Sequence, residues 1–154
     1  MAVFHFTLHA YRSWNTDDAR GWVQRGTPGV QEPNVRLARA RNLAAKWPAV
    51  TFNAEDAKYM VDQMADVVAR RGWELFGVTA IPTHVHAVVG WREAWHQDDV
   101  QTRLKRGLGF LLAKRHGTGG RPYFSRGGIP ERVKDRAHLI HLLTVYLPEH
   151  HGPI

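Results

Sequence analysis

The segment WELFGVTAIPTHVHAVVGW, residues Trp73–Trp91, predicts the centre of the fold. β-Branched and aromatic residues dominate 73–80 and 84–91, which is typical of strands. Between them, Ile81-Pro82-Thr83 supplies a turn that contains proline. The two strands are therefore expected to pair as a β-hairpin.

Side-chain alternation gives the second strand of this hairpin two different faces. Val85, Ala87 and Val89 share one side, and His84 and His86 share the other, because successive side chains of a strand point in opposite directions. Two neighbouring imidazoles suit a divalent metal ion. By itself a His-x-His strand is a weak signal, and an exposed pair of ordinary polar residues explains it as well.

Periodicity predicts the remaining elements on either side of the hairpin. An alternating strand at 3–11 has Phe4, Phe6 and Leu8 on one side and His5, Thr7 and His9 on the other. The other predicted elements are a basic loop region at 12–50 with a short helix at Val35–Ala45, a helix that begins at Asn53 and ends at Gly72, a helix capped by Asp98 or Asp99 that ends in the Gly117–Gly120 loop, a short strand near Pro122–Ser125, and a last helix at about Lys134–Leu147.

This order of elements, β-α-β-β-α-β-α, indicates an α+β fold. Its first six elements match the ferredoxin-like split βαβ arrangement, an antiparallel sheet with helices on one face. The other face is then expected to be available, and a C-terminal helix that carries Tyr146 follows the sheet. We expect a single domain over residues 1–154.

Composition narrows the kind of site and the kind of partner. The chain has 154 residues, no cysteine and a net charge of +7, with 21 Lys and Arg against 14 Asp and Glu. Any metal must therefore be bound by imidazole, carboxylate or carbonyl groups, and the surplus of basic charge suits a polyanion. A basic domain without a nucleic-acid partner is the alternative. Since no run of about 18 apolar residues occurs, we expect a soluble cytoplasmic protein with no membrane partner.

The last predicted helix carries a tyrosine and a third histidine close together. Tyr146 and His150 are four residues apart, which places them on one face, about 5–6 Å apart at Cβ, if the helix continues. Ordinary core packing is the alternative for Tyr146, which lies on the same stripe as Leu139 and Leu142. Pro148 could also end the helix before His150.

The chain resembles a known family, the single-tyrosine transposases of small insertion sequences, including the REP-associated tyrosine transposases, within the wider His-hydrophobic-His endonucleases. The resemblance covers nearly the whole chain: Phe4-His5-Phe6-Thr7, Tyr11-Arg12-Ser13-Trp14, Ile81-Pro82-Thr83-His84-Val85-His86, Ser125-Arg126-Gly127-Gly128 and the Tyr146 helix. Two positions depart from the family pattern. Thr83 stands where Asn is usual, and His150 stands where Gln or Asn is more frequent.

The resemblance implies an activity. A tyrosine of the family attacks a DNA phosphate and retains the 5′ end as a phosphotyrosine, which lets a 3′ hydroxyl reseal the strand without external fuel. Tyr146 is then the nucleophile, and His84, His86 and His150 bind Mg²⁺ or Mn²⁺. The substrate is then single-stranded or hairpin DNA. Apart from the resemblance, basic residues along the chain are candidate contacts for its phosphate backbone: Arg12, Arg36, Arg39, Arg41, Lys105, Arg106 and Arg126.

Several interpretations stay open at this level. His5 and His9 are expected on the same sheet face as His84 and His86, as ordinary polar residues or as metal ligands and their supports. The basic residues that are candidate DNA contacts are explained equally well as the solvated faces of helices. A non-catalytic ferredoxin-like module that binds single-stranded nucleic acid, or a phosphoesterase that uses water, are the rival functions. The chain could act as a monomer or as a homodimer in which Tyr146 serves a partner's histidines.

Overall fold

The computed structural model of this chain describes residues 1–24 and 26–150. Its elements in chain order are β1 (Ala2–His9), β2 (Trp22–Val23), β3 (Val30–Gln31), α1 (Val35–Ala44), α2 (Ala54–Ala69), β4 (Glu74–Ile81), β5 (His84–Trp91), α3 (Gln97–His116), β6 (Glu131–Arg132), α4 (Arg136–His141), a π-helical stretch (Leu142–Tyr146) and α5 (Leu147–Glu149). A four-stranded antiparallel sheet in the order β4-β5-β1-β6 forms the centre, and β2 pairs with β3 separately. The predicted α+β class is confirmed.

Two helices cover the apolar face of the sheet. Phe6 and Leu8 of β1 are fully buried, as the alternation predicts, and so are the β5 residues Val85 and Ala87. Helices α2 and α3 pack against these strands through residues at helical spacing, among them Met60, Met64, Leu104 and Leu108. The predicted start of α2 is confirmed, since the Asn53 side chain accepts the Asp56 amide.

The C-terminal helix, our name for the continuous stretch 136–149, covers part of the opposite face. Val88 of β5 lies on that face and packs with Leu142 and Leu147. A Cβ at Gly77 of β4 would lie 2.6 Å from a terminal methyl of Leu143 and 2.8 Å from one of Leu147, so a larger residue there would make both leucines shift. The expectation that this whole face would be left available is therefore wrong, because the helix covers the part around Val88. The part that carries His84 and His86 lines an open cleft.

Two boundaries in the second half of the chain also differ from the prediction. The segment at Pro122–Ser125 makes only an isolated bridge, Ala10 to Phe124, and the fourth strand is β6. Between them, Gly127 and Gly128 adopt positive φ and shift the pairing register along β1. Helix α3 is capped by His96 and not by Asp98 or Asp99, because the His96 ring accepts the Asp98 amide and leaves both carboxylates in the first turn.

Pro148 changes the shape of the C-terminal helix without breaking it. Proline has no N–H for the usual helical bond and its ring crowds the carbonyl four residues back. In response the helix widens, and the Leu147 amide donates to the carbonyl of Leu142, five residues back. The helix continues to Glu149, beyond the predicted end at Leu147, and His150 caps it. None of the helices among the described residues could cross a membrane.

Candidate active site

The candidate active site begins on the polar face of the two central strands. The antiparallel register sets Thr7 opposite His86 and His9 opposite His84. The rings of His84 and His86 lie 4.5 Å apart between centroids, His9 lies 5.4 Å from His84, and His5 lies 5.1 Å from His86. The expectation that His5 and His9 share a sheet face with the histidine pair is confirmed.

The C-terminal helix adds a phenol and a third imidazole to this face. The ring of Tyr146 lies 5.3 Å from that of His86 and 5.2 Å from that of His5. His150 stacks on Tyr146 at 4.2 Å and lies 5.0 Å from His86. Among the described residues the Tyr146 hydroxyl has no hydrogen-bond partner. Four of the residues singled out from the sequence thus meet within one chain.

Hydrogen bonds engage the same ring nitrogen, Nδ1, in His84, His86 and His150. Nδ1 of His150 donates to the carbonyl of Tyr146 at 2.7 Å, and Nδ1 of His84 is 2.9 Å from the hydroxyl of Thr83. Nδ1 of His86 is 3.0 Å from Nε2 of His5. Nε2 of His86 is buried and has no hydrogen-bond partner among residues 1–24 and 26–150. Each ring is therefore held through Nδ1, which is how a metal-binding imidazole is usually oriented for coordination through Nε2.

His5 orients His86 most directly. When Nδ1 of His86 donates to Nε2 of His5, Nε2 of His86 keeps its lone pair for a metal ion. Nδ1 of His5 then carries its own proton and faces Glu131, whose Oε2 lies 4.0 Å away. The sequence pattern did not indicate Glu131, because its place depends on the pairing of β6 with β1.

Burial keeps these groups uncharged near neutral pH. Burial, with help from His9, lowers the pKa of His84 to about 4, and burial together with His84 lowers the pKa of His86 to about 3. Burial also lowers the pKa values of His5 and His9. Burial and the charge of Glu131 raise the pKa of Tyr146. The imidazoles of His84 and His86 are thus in the form that binds metal, and the phenol of Tyr146 holds its proton.

The donor set fits a metal ion only in part. In residues 1–24 and 26–150, no group of three or more His, Cys, Asp or Glu side chains meets the geometry of a complete metal site. The unpartnered Nε2 of His86 and the adjacent imidazole of His84 nevertheless present two neutral nitrogen donors side by side. Nitrogen donors of this kind suit Mn²⁺ and similar ions.

A cleft of about 420 Å³ opens over the histidines. It is lined by Thr7, His9, Ser13, Trp14, Arg20, Thr83, His84, His86, Gly128, Ile129, Tyr146 and His150. None of these described residues is acidic. Arg20 is held at the rim by two 2.9 Å bonds to Asp18 and by its guanidinium 4.6 Å from the Trp14 ring. Sequence reasoning missed Arg20, which comes from a loop without periodicity.

The predicted DNA-contacting residues fall into three groups. Arg12, Arg41 and Arg126 line a second cleft that shares Trp14 with the first. Lys105 does not point freely to solvent: its ammonium donates to the carbonyls of Ser125 and Gly127, and burial lowers its pKa to about 8. The remaining predicted residues, Arg36 and Arg39 on α1 and Arg106 on α3, are exposed and lie outside both clefts.

Comparisons with known proteins add little to this geometry. No family model and no curated protein matches the chain. Among solved structures, a crystal structure described as that of a candidate transposase from Deinococcus radiodurans R1 is 13% identical, covers 98% of this chain and 92% of its own, and has a TM-score of 0.49. A likeness at that level supports neither a fold nor a function for this chain.

The neutral histidines make stability depend on pH. The unfolded chain takes up protons on His84 and His86 near pH 6.5, whereas the folded chain resists until about pH 4 or below. The free energy of unfolding should therefore fall as pH drops from about 6.5 to 4, by at most about 1.4 kcal/mol per pH unit for each histidine. Urea denaturation at several pH values, in the presence of chelator, measures this dependence. In the H84Q/H86Q variant the free energy of unfolding should fall less steeply with decreasing pH than in wild type. Equal slopes would contradict the pKa assignment.

Proposed function

We propose that this protein is a metal-dependent single-strand DNA nickase and strand transferase that uses Tyr146 as its nucleophile. The observation that carries the proposal is the position of Tyr146, whose ring lies 5.3 Å from His86 and is stacked on His150 within one cleft. A core tyrosine would not need to lie over a pair of strand imidazoles. The family resemblance of the histidine strand and the tyrosine helix points to the same chemistry.

The topology also supports a transposase of this kind. The sheet order β4-β5-β1-β6, with helices α2 and α3 between the strands, supports the proposed ferredoxin-like split βαβ arrangement. Because β5 and β1 are the two central strands, their polar side chains lie side by side on the sheet face that carries the cleft. The C-terminal helix then brings the tyrosine to the same place.

A divalent ion, Mg²⁺ or Mn²⁺, would be held by His84, His86 and His150. When bound, such an ion neutralises a phosphate and polarises its P–O bond. The protein's own contribution is orientation: Thr83, His5 and the carbonyl of Tyr146 each hold one imidazole through Nδ1. Imidazole is a softer donor than carboxylate, which favours Mn²⁺ over Mg²⁺.

The covalent step is an exchange of one phosphate ester for another. The Tyr146 oxygen bonds to the phosphorus, and the bond from phosphorus to the 3′ oxygen breaks. The phenol gives its proton to water, and the released 3′ oxygen takes one from water to become a hydroxyl. The 5′ end stays on the protein as a phosphotyrosine, and a 3′ hydroxyl can reverse the step. The absence of acidic lining residues among those described favours the approach of a phosphate.

Covalent trapping tests this function directly. Purified protein incubated with a labelled single-stranded oligonucleotide that contains a hairpin, in Mn²⁺, should yield an adduct that survives denaturing electrophoresis. Chelator should prevent it. A gel shift without an adduct would instead support a non-catalytic nucleic-acid module, and release of free ends without an adduct would support a phosphoesterase that uses water.

Binding should favour single strands over duplex. The net charge of +7 predicts an affinity that falls steeply with salt, with a slope of about −0.7 in log K against log salt for each single-strand phosphate neutralised. Fluorescence anisotropy with a hairpin oligonucleotide and a plain duplex of equal length measures both properties. Equal affinities across the salt series would count against the proposal.

A further inference from the structure

A second cleft, of about 550 Å³, lies next to the candidate active site. Its walls come from the loop that follows β1, from α1 and from the segment that precedes β6. Trp14 lines both clefts, so the two are adjacent. We call this second cleft the arginine pocket, after Arg12, Arg41 and Arg126.

The arginine pocket has the charge of a phosphate-binding site. Three of the described residues that line it are arginines and none is acidic. Arg12 is fixed in place: its φ of 59° lies in the left-handed region, its amide donates to Ser125 Oγ at 3.2 Å, and its guanidinium donates to the carbonyl of Trp47 at 2.8 Å. A non-glycine residue in that conformation persists only where its surroundings hold it. Arg41 and Arg126 are exposed and therefore accessible to a ligand.

The same pocket has aromatic surfaces that a simple anion would not need. Tyr11, Trp14 and Phe124 line it together with the arginines. Trp14 is 42% exposed, yet its position is set by the bond from its Nε1 to the carbonyl of Gly21 at 2.9 Å and by the Arg20 guanidinium. A fixed and exposed indole is a surface on which an unpaired base can stack.

We propose that the arginine pocket binds one nucleotide of the cleaved strand close to the scissile phosphate, with its base on Trp14 and its phosphate on Arg41 and Arg126. The proposal rests on the proposed function for the position of the scissile phosphate at His84, His86 and Tyr146. Guanidinium groups together with an aromatic platform match the two parts of a nucleotide, whereas a base paired in a duplex has no free face to stack. The pocket thereby contributes to the choice of single-stranded substrate.

An abasic scan tests the base contact. The Y146F variant, in which cleavage is silenced, is titrated with labelled oligonucleotides that each lack one base, at positions walked across the cleavage site. Loss of the base in the pocket should weaken binding by about 5- to 150-fold, the range expected for one stacked base. In W14A/Y146F the penalty at that position should disappear, while penalties at other positions persist.

A charge comparison tests the phosphate contact with a variant that does not disturb the fold. R126A removes an exposed guanidinium. The slope of log affinity against log salt should therefore become shallower by about 0.7, the value for one single-strand phosphate contact. The matched control is R70A, since Arg70 is also exposed but lies at the end of α2 and lines neither cleft. R70A should leave the slope unchanged.

The outcomes separate the pocket from the proposed function. Suppose that wild-type protein forms the adduct. If the abasic scan then shows no loss at any single position, or if R126A and R70A have equal salt slopes, the proposal for the arginine pocket is wrong and the proposed nickase stands. A penalty at one position that vanishes in W14A/Y146F, without any adduct in wild-type protein, overturns the nickase and supports the pocket.

Discussion

Y146F is expected to reduce both DNA cleavage and the covalent adduct by a factor on the order of 10³ or more, because the variant lacks the oxygen that is proposed to form the new ester. DNA binding should stay close to wild type, since the aromatic ring and its stacking on His150 are retained. Denaturing electrophoresis measures the adduct, and anisotropy measures binding. Adduct at the wild-type level in this variant would point to another nucleophile.

The matched control for this experiment is Y123F. Tyr123 is a second tyrosine in the C-terminal part of the chain, but it is buried in the core, where its hydroxyl bonds to that of Thr118. Y123F should therefore form the adduct at the wild-type rate, even if the protein unfolds at a lower urea concentration. Loss of the adduct in a folded Y123F protein would overturn the assignment to Tyr146.

H84A and H86A are each expected to weaken Mn²⁺ binding by about 100-fold or more and to abolish cleavage. Removal of either donor leaves only one imidazole on β5 to bind the metal. Substitution of residues that merely support metal ligands already lowers metal affinity by about 10- to 100-fold. Calorimetric titration of Mn²⁺, with cleavage measured on the same samples, provides both readouts. Unchanged binding and cleavage in both variants and in H150A would exclude the metal mechanism.

H150A separates the third ligand from the first two. His150 comes from the end of the C-terminal helix, so its proposed coordination of the metal would depend on that helix as well as on the sheet. The control H141A removes an exposed histidine from the same helix, outside the cleft, and should leave Mn²⁺ binding unchanged. Loss of Mn²⁺ binding in H84A and H86A but not in H150A would retain the nickase and remove His150 from the site.

The local part of this architecture could be read from the sequence. Alternation in 73–91 and in the first strand placed the four histidines on one sheet face, because a strand has a strict two-residue period. The stripe of α2 and its Asn53 cap followed from helical spacing and a local hydrogen bond. These features depend on residues that are close together in the chain, and their prediction needs no tertiary information.

Tertiary structure decided where distant segments meet. Tyr146 and His150 reach His86 because the C-terminal helix packs on the sheet over Gly77 and Val88. Glu131 reaches His5 only because a two-residue strand pairs with β1 after a shift in register. Contacts between segments far apart in the chain are set by packing and not by local periodicity, so the sequence predicted the chemical groups of the site but not how they are supported.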